Sequence, residues 1–413
     1  MNIPCFSKPA AWQRLHVGPL SPFIDSFAQH LSEQGYADAT SCDKLRIVAK
    51  LSQWLERQHC CLNALNEQQV ATFINELHEH QRRAFRGDAT TLRELLEQLR
   101  NTGVIPAPIP ASKHSALNQL EEDYSRYLTH ERGLTAASVD NYLPIAHRFL
   151  TSRFGDGRLA LEQLTARDVT RFVLEYIRTL SPKRAQLGVS ALRSFFRFLC
   201  QRGEVGTNLA GAVPAVANWR LSQLPKFLQP GQVEQLLQSC NQTCLVGQRD
   251  YTILLLLARL GLRAGEVVHL SLDDIDWNAG LLNIRGKGSR VDRLPLPVDV
   301  GEALAAYLRD GRPCCATRRV FVRMRAPREG FASSVAIDSI VRRALQRAGL
   351  EPSCKGAHLL RHTLATEMLR NGASLPEISQ LLRHRLRQTT EIYAKVDQST
   401  LGALAQPWPG EIS

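Results

Sequence analysis

Hydrophobic residues along most of this chain recur at three- and four-residue steps, the spacing that lays one apolar face along a helix. The pattern begins at Phe23. The stretches FIDSFAQHLSEQG, ATSCDKLRIVAKLSQWLERQ, NEQQVATFINELHEH and DATTLRELLEQLRNTG each predict a helix, the last with Asp88 as N-cap and Gly103 as stop. Residues 1–22 carry Pro4, Pro9, Pro19 and Pro22 and read as irregular. After the helices, VIPAPIPAS is a proline-rich linker.

A second helical block runs from about Ser115 to Leu209 and ends on the apolar helix ALRSFFRFLCQRGEVGTNLA. Its text parallels the first block. LSEQGYADATSCDKLRIVA (from Leu31) sets against LTHERGLTAASVDNYLPIA (from Leu128) without a gap, and LNEQQVATFI (from Leu65) against LTARDVTRFV (from Leu164). Duplication of a helical unit and chance matching of two amphipathic stretches both account for this. PAVANWRLSQLPKFLQPGQ then reads as another extended linker.

From about Gln229 the pattern is mixed. Helices are predicted at GQVEQLLQSC, RDYTILLLLARLGL, VGEALAAYLRD, SSVAIDSIVRRALQRAG, GAHLLRHTLATEMLRNG and SLPEISQLLRHR. Between them, GLLNIRGKGSRVDRLPLP reads as two short strands around a Gly-Lys-Gly-Ser turn. The expected class is mainly α with a small β-sheet, the sheet lying in an α+β final domain. The expected division is 1–22 irregular, 23–105 helical, 106–114 linker, 115–212 helical, 213–228 linker, 229–400 mixed and 401–413 tail.

Composition narrows the class. Hydrophobic residues at 44% and charged residues at 22% are those of a soluble globular chain of 413 residues, enough for several domains. No apolar run reaches the roughly 18 residues of a membrane span; YTILLLLARLGL is broken by Arg259. The N-terminus has no basic stretch followed by an apolar one, so a cytoplasmic protein is expected. Ten cysteines are scattered without a second pair to match Cys240 and Cys244, which predicts reduced thiols and no metal site. The net charge is +12. Residues 1–112 hold 11 basic and 11 acidic side chains, so the whole excess lies in residues 113–413. That surface suits a polyanion (DNA, RNA or an anionic membrane), and charge alone does not choose among them.

The candidate chemistry lies in the mixed domain. In RLGLRAGEVVHLSLDDIDW, Arg263 follows an apolar helix and needs an anionic partner. An ion pair with Glu266 is one reading, and a bidentate grip on phosphate oxygens is the other. In IRGKGSRVDR, Lys287 stands at the hairpin tip, either as a solvated lysine or as a mobile ammonium that gives up a proton. In GAHLLRHTLATEML, His358 and Arg361 share a face in the first turns of a helix, where unpaired N–H groups also favour an anion. His362 is expected to point elsewhere and to be structural. In LLRHRLRQTTEIYAKVD, His384 follows two core leucines, and Tyr393 comes nine residues later. A tyrosine hydroxyl titrates near 10, so as a nucleophile it needs cations around it.

Each signal alone is weak. In order, Arg, Lys, His-x-x-Arg, His and Tyr, with the stretches GLRAGEVVHLSLDDID, GKGSRVDRLPLP, HLLRHTLATEMLRNGASLPEISQLLRH and TTEIYAKV, they resemble the tyrosine recombinases, the phage-integrase type of site-specific DNA recombinase. The resemblance covers about residues 113–400 and implies a helical core-binding domain followed by a catalytic one. It implies that Arg263, Lys287, His358, Arg361, His384 and Tyr393 are catalytic, with Tyr393 the nucleophile. It also implies a 3′-phosphotyrosyl intermediate, double-stranded DNA as partner, and a homo-oligomer, a tetramer on DNA, or assembly with related recombinases of the same element. Lys183 and Arg184 in LSPKRAQLGVSALRSFFRF, and Arg193 beside them, become candidate phosphate contacts. No cofactor is expected: two arginines can do the charge work of a metal, and no Gly-x-x-x-x-Gly-Lys loop is present.

The chain departs from the family pattern at Arg383, where members usually carry Gly before the second histidine. That bears on a turn or adds a DNA contact. The ending YAKVD with AQPWPG resembles recombinases of bacterial transposable elements, and DNA as partner places the protein at the nucleoid. Alternative readings are a type IB topoisomerase, a catalytically silent DNA-binding accessory protein, and a basic RNA-binding helical protein. The last has no account of the ordered set.

Overall fold

The computed structural model describes residues 13, 15–80, 87–107, 116–155, 157–216, 225–286, 291–384 and 389–394. The chain divides into two compact units, one of residues 1–108 with 223–413 and the other of residues 109–222.

The first block of the larger unit contains helices α1 (Ile24–Glu33), α2 (Asp38–Arg57), α3 (Glu67–His80) and α4 (Asp88–Asn101). Their apolar stripes face one another around Phe27, Leu45, Leu51, Leu55, Leu92 and Leu96. Helix α4 begins one residue earlier than expected. Gly87 is the N-cap, and Asp88 is the first helical residue, where its charge meets the positive end of the helix. Gly103, at φ 71°, takes the left-handed turn that stops the helix. This block touches the final domain through a backbone bond in which Arg328 N–H donates to Gln34 C=O at 2.9 Å. The next residue, Gly35, sits where the backbone favours glycine and the Arg328 side chain would have to shift for anything larger. Its φ is +77°, and a Cβ there would meet the Arg328 side chain at 2.4 Å.

The smaller unit contains α5 (Ala116–Arg126), α6 (Ala136–Phe154), α7 (Ala166–Glu175), α8 (Pro182–Gln201) and α9 (Leu209–Ala212). An aromatic cluster of Tyr124, Phe149, Phe195 and Phe196 fills its core. In both helical blocks a 3₁₀ turn, Leu62–Ala64 or Leu161–Gln163, immediately precedes the third helix.

The final domain opens with α10 (Gln232–Gln238), the buried α11 (Leu245–Leu260) and the short α12 (Ala264–His269). Strands β1 (Ile275–Asp276), β2 (Leu281–Arg285) and β3 (Val291–Pro295) form an antiparallel sheet in that order, with Leu282 opposite Leu294 and Arg285 opposite Val291. The two longer strands follow the alternation in the sequence. The third, β1, was missed because two residues carry no periodicity. Helices α13 (Val298–Ala306), α14 (Val335–Arg347), α15 (Ala357–Arg370), α16 (Leu375–Leu381) and α17 (Glu391–Ala394) complete the domain. Helix α11 is its axis and packs on α13 and α15. Tyr393 belongs to a small satellite core with Ala365, Ile378 and Leu382.

No described helix is long and apolar enough to cross a membrane, and the described residues hold no group of three His, Cys, Asp or Glu side chains suited to a metal. Eight of the cysteines are free. Cys42 is disulfide-bonded, which corrects the reading of all ten as thiols.

Candidate active site

Four segments of the final domain meet at one place. The first is the exit of α11. Gly261 caps the helix at φ 57°, and a Cβ there would lie 2.7 Å from the Leu382 side chain. The turn delivers Arg263 to the N-cap of α12. Glu266 holds it there: Arg263 N–H donates to Oε2 at 2.8 Å, and Arg263 Nη1 donates to Oε1 at 2.6 Å. The expected ion pair with Glu266 is therefore real. Arg263 nevertheless keeps 39% of its side chain exposed. Burial opposes the charge of Glu266, but Arg383 and Arg263 outweigh it and hold the carboxyl below its ordinary range.

The second segment is α15. Arg361 is 3% exposed. Its Nη1 donates to Gly261 C=O and its Nη2 to Leu382 C=O, so one guanidinium ties the α11 exit to the turn after α16. Burial, then repulsion from Arg263 and Arg383, brings its pKa down to about 10, and it stays charged at neutral pH. His358 lies exposed at the start of the same helix. The His358 and His362 rings lie 6.3 Å apart.

The third segment is α16 and the residues after it. A capping box, in which Ser374 N–H donates to Glu377 at 2.7 Å, starts the helix. Leu382 is fully buried, and Arg383 then turns the chain at φ 55°. His384 follows, its Nδ1 hydrogen-bonded to Thr390 Oγ1 at 2.8 Å. The expectation of Arg383 as a DNA contact meets an inward-facing side chain: its guanidinium is 5% exposed and paired with Glu266 at 2.8 Å.

The fourth segment is α17, which carries Tyr393. The ring is 1% exposed and lies parallel to His384 with centroids 6.5 Å apart. Its hydroxyl is 2.8 Å from His362 Nδ1. His362, read as pointing elsewhere, is hydrogen-bonded to the Tyr393 hydroxyl. The signal was present in the spacing, because His358 and His362 are four residues apart and share a helix face. Burial pushes the Tyr393 hydroxyl up to about 12, and Arg361 pulls the other way.

Beside these segments lies a cavity of about 2010 Å³ whose wall includes Arg263, Arg285, Arg293, Arg319, Arg383 and His384. Arginines around a concave surface make a site for a polyanion. Lys287 lies outside the described residues, between β2 and β3, whose flanking Arg285 and Arg293 reach this cavity. In the smaller unit, Lys183 and Arg184 are exposed at the start of α8. Arg193 is half-buried, donates to Val213 C=O at 3.0 Å, and lines a 350 Å³ recess with Arg197.

Two histidines at this site carry low pKa values. Burial first, then His358 and Arg361, bring His362 down to about 4. Burial first, then Arg361 and Arg263, bring His384 down to about 4. Both are neutral in the folded protein at neutral pH. In the unfolded chain they titrate near 6.5, so between 6.5 and 4 the unfolded state binds more protons. Stability is expected to be fully present above pH 6.5 and to fall as pH drops toward 4. Glu266, held below its ordinary range, adds to the loss only once pH falls below 4.5. His362→Gln removes one of the two groups and should roughly halve the slope of unfolding free energy against pH, measured by urea denaturation.

The phage integrase family matches residues 226–400, and the phage integrase N-terminal SAM-like domain matches residues 122–203. A chain named as an integrase/recombinase (y4rA) in Sinorhizobium fredii is 45% identical over 395 residues, covering 95% of this chain and 96% of that one. Tyrosine recombinase XerC of Oceanobacillus iheyensis is 31% identical over 300 residues, covering 69% of this chain and 95% of the relative. Among solved structures, XerH site-specific recombinase bound to its difH substrate in a pre-cleavage complex superposes with TM-score 0.53 at 22% identity. That match covers 71% of this chain and 84% of the solved one, and it supports the fold.

Proposed function

The chain belongs to the phage integrase family of tyrosine recombinases, DNA strand-cleaving and rejoining enzymes, and we propose from this that Tyr393 attacks a scissile phosphate in double-stranded DNA. The Tyr393 oxygen forms a new bond to phosphorus, the bond to the 5′-oxygen breaks, and a 3′-phosphotyrosyl ester remains with a free 5′-hydroxyl. The ester keeps the bond energy, so the reverse attack by a 5′-hydroxyl from a second duplex completes strand exchange.

The observation that carries this reading is that Arg263 and His384 line one arginine-rich cavity, while Arg361, bonded to the Gly261 and Leu382 carbonyls, and Tyr393, stacked on His384, are buried against the same segments. Charge develops on the phosphate oxygens in the transition state, and fixed guanidiniums stabilise it without reorganisation. Arg263 reaches the cavity directly. Arg361 contributes its charge from behind and fixes the Gly261 and Leu382 backbones on either side. In the resting arrangement the Tyr393 hydroxyl is hydrogen-bonded to His362 Nδ1, and a neutral His362 with that nitrogen unprotonated can accept the tyrosine proton. His358 and His384 are assigned hydrogen bonds to the phosphate, and Lys287 is assigned the proton for the departing 5′-oxygen. Lys183, Arg184 and Arg193 are assigned contacts to the DNA backbone. The enzyme would act at the nucleoid, in homo-oligomeric assemblies or with related recombinases.

Strand exchange is the test. Purified protein incubated with two duplexes carrying its site, one of them labelled, should yield recombinant strands of new length on a denaturing gel. Relaxation of supercoiled plasmid with no exchanged strands would instead support a topoisomerase-like activity.

A further inference from the structure

Among the described residues only His59 and Arg383 combine a side chain with a positive φ. The left-handed region is unfavourable for a non-glycine residue, because its Cβ crowds the following carbonyl. At Arg383 the strain is joined to a buried charge, which is tolerated only with good partners. Nη2 donates to Glu266 Oε2 at 2.8 Å, Nη1 donates to Leu381 C=O at 3.0 Å, and Nε is buried without a partner. The Arg383 carbonyl in turn accepts from Arg263 Nη2 at 3.3 Å.

Glu266 therefore serves two arginines. One oxygen takes Arg263 Nη1; the other takes the Arg263 backbone N–H and Arg383 Nη2. Three guanidiniums, Arg263, Arg361 and Arg383, stand against this one carboxylate. Without Arg383 the carboxylate would have Arg263 as its one hydrogen-bonded guanidinium, with Arg361 acting on it only through space. It would then draw the Arg263 fork inward and cancel the charge that faces the cavity.

We infer that Arg383 is a positioning residue for the strand-cleavage reaction: by occupying half of Glu266, it leaves the Arg263 guanidinium oriented and charged for the scissile phosphate. This rests on the reading of Arg263 as a phosphate-gripping group. Arg383 itself acts through Glu266 and Arg263. The role is built from three side chains that come together only in the folded domain, two of them 117 residues apart.

The experiment is a single-turnover cleavage assay on a nicked duplex whose released fragment diffuses away, so that the covalent complex accumulates. The rate constant reports chemistry, and the amplitude reports the folded fraction. Arg383→Gly suits the backbone at φ 55° and should lower the rate constant roughly tenfold to a hundredfold at unchanged amplitude. Adding Glu266→Gln removes the carboxylate charge that would capture Arg263. The double variant should recover to within about threefold of wild type, by the non-additivity expected of one network. An unchanged rate constant in Arg383→Gly, with or without lost amplitude, overturns the inference. So does a double variant no faster than Arg383→Gly. Wild type and Tyr393→Phe run on the same gel separate this from the reading beneath it: no wild-type complex, or a complex with Tyr393→Phe, rejects that reading itself.

Discussion

Arg361→Ala is expected to abolish measurable strand cleavage and to weaken the fold in the same step. The two losses have separate causes. Arg361 is 3% exposed, and its guanidinium satisfies the carbonyls of Gly261 and Leu382. Truncation leaves both acceptors buried beside a cavity, each at a cost of about 1–3 kcal/mol. Relief of repulsion with Arg263 and Arg383 returns part of that. A net loss of about 3 kcal/mol is expected, read as a lower urea midpoint at unchanged slope. The chemical loss adds to it. Removing a fixed guanidinium charge from behind a developing oxyanion costs on the order of a hundredfold. The displaced Gly261 and Leu382 backbones carry Arg263 and His384 with them, so the combined loss exceeds that. Arg263→Ala is the comparison. Its side chain is 39% exposed and Glu266 keeps Arg383 as partner, so the rate should collapse with about 1 kcal/mol or less of stability lost. Equal stability loss in the two variants would mean that Arg361 does not brace the two carbonyls.

How much of this was legible in the sequence depended on where the information lies. Helices α1 to α4, α14 and α15 announce themselves because burial on one face forces a 3.6-residue period. The β2–β3 hairpin announces itself by alternation about glycines. Strand β1 could not, at two residues. Arg263, Arg361, His384 and Tyr393 were found through their order and flanking text, and the fold brings them together. What the text hid was which atom faces which. Arg383 was read as a surface cation or a turn residue; the positive φ fits the turn, while the pairing with Glu266 spans 117 residues and leaves no local trace. His362 was dismissed because it follows Arg361, although its four-residue offset from His358 placed it on the same face and within reach of Tyr393. The bond between Gln34 and Arg328 is likewise invisible from either segment alone.

Tyr393→Phe has the largest expected chemical effect with the smallest structural one. The ring is fully buried in the satellite core with Ile378 and Leu382, and phenylalanine fills the same space. One hydrogen bond, to His362, is lost, worth about 1 kcal/mol. Melting behaviour and DNA affinity should therefore stay near those of wild type. The covalent complex should vanish, because no other hydroxyl replaces the attacking oxygen. This separation of binding from chemistry distinguishes a nucleophile from an ordinary buried tyrosine.

The most direct measurement follows from that pair of proteins. Wild type and Tyr393→Phe are incubated with a nicked duplex carrying the site, denatured, digested, and the DNA-linked peptide sequenced by mass spectrometry. Tyr393 as nucleophile predicts a covalent complex in wild type alone, with the nucleotide on Tyr393 through a 3′-phosphate. A complex that persists in Tyr393→Phe, or a nucleotide found on any other side chain, would contradict it.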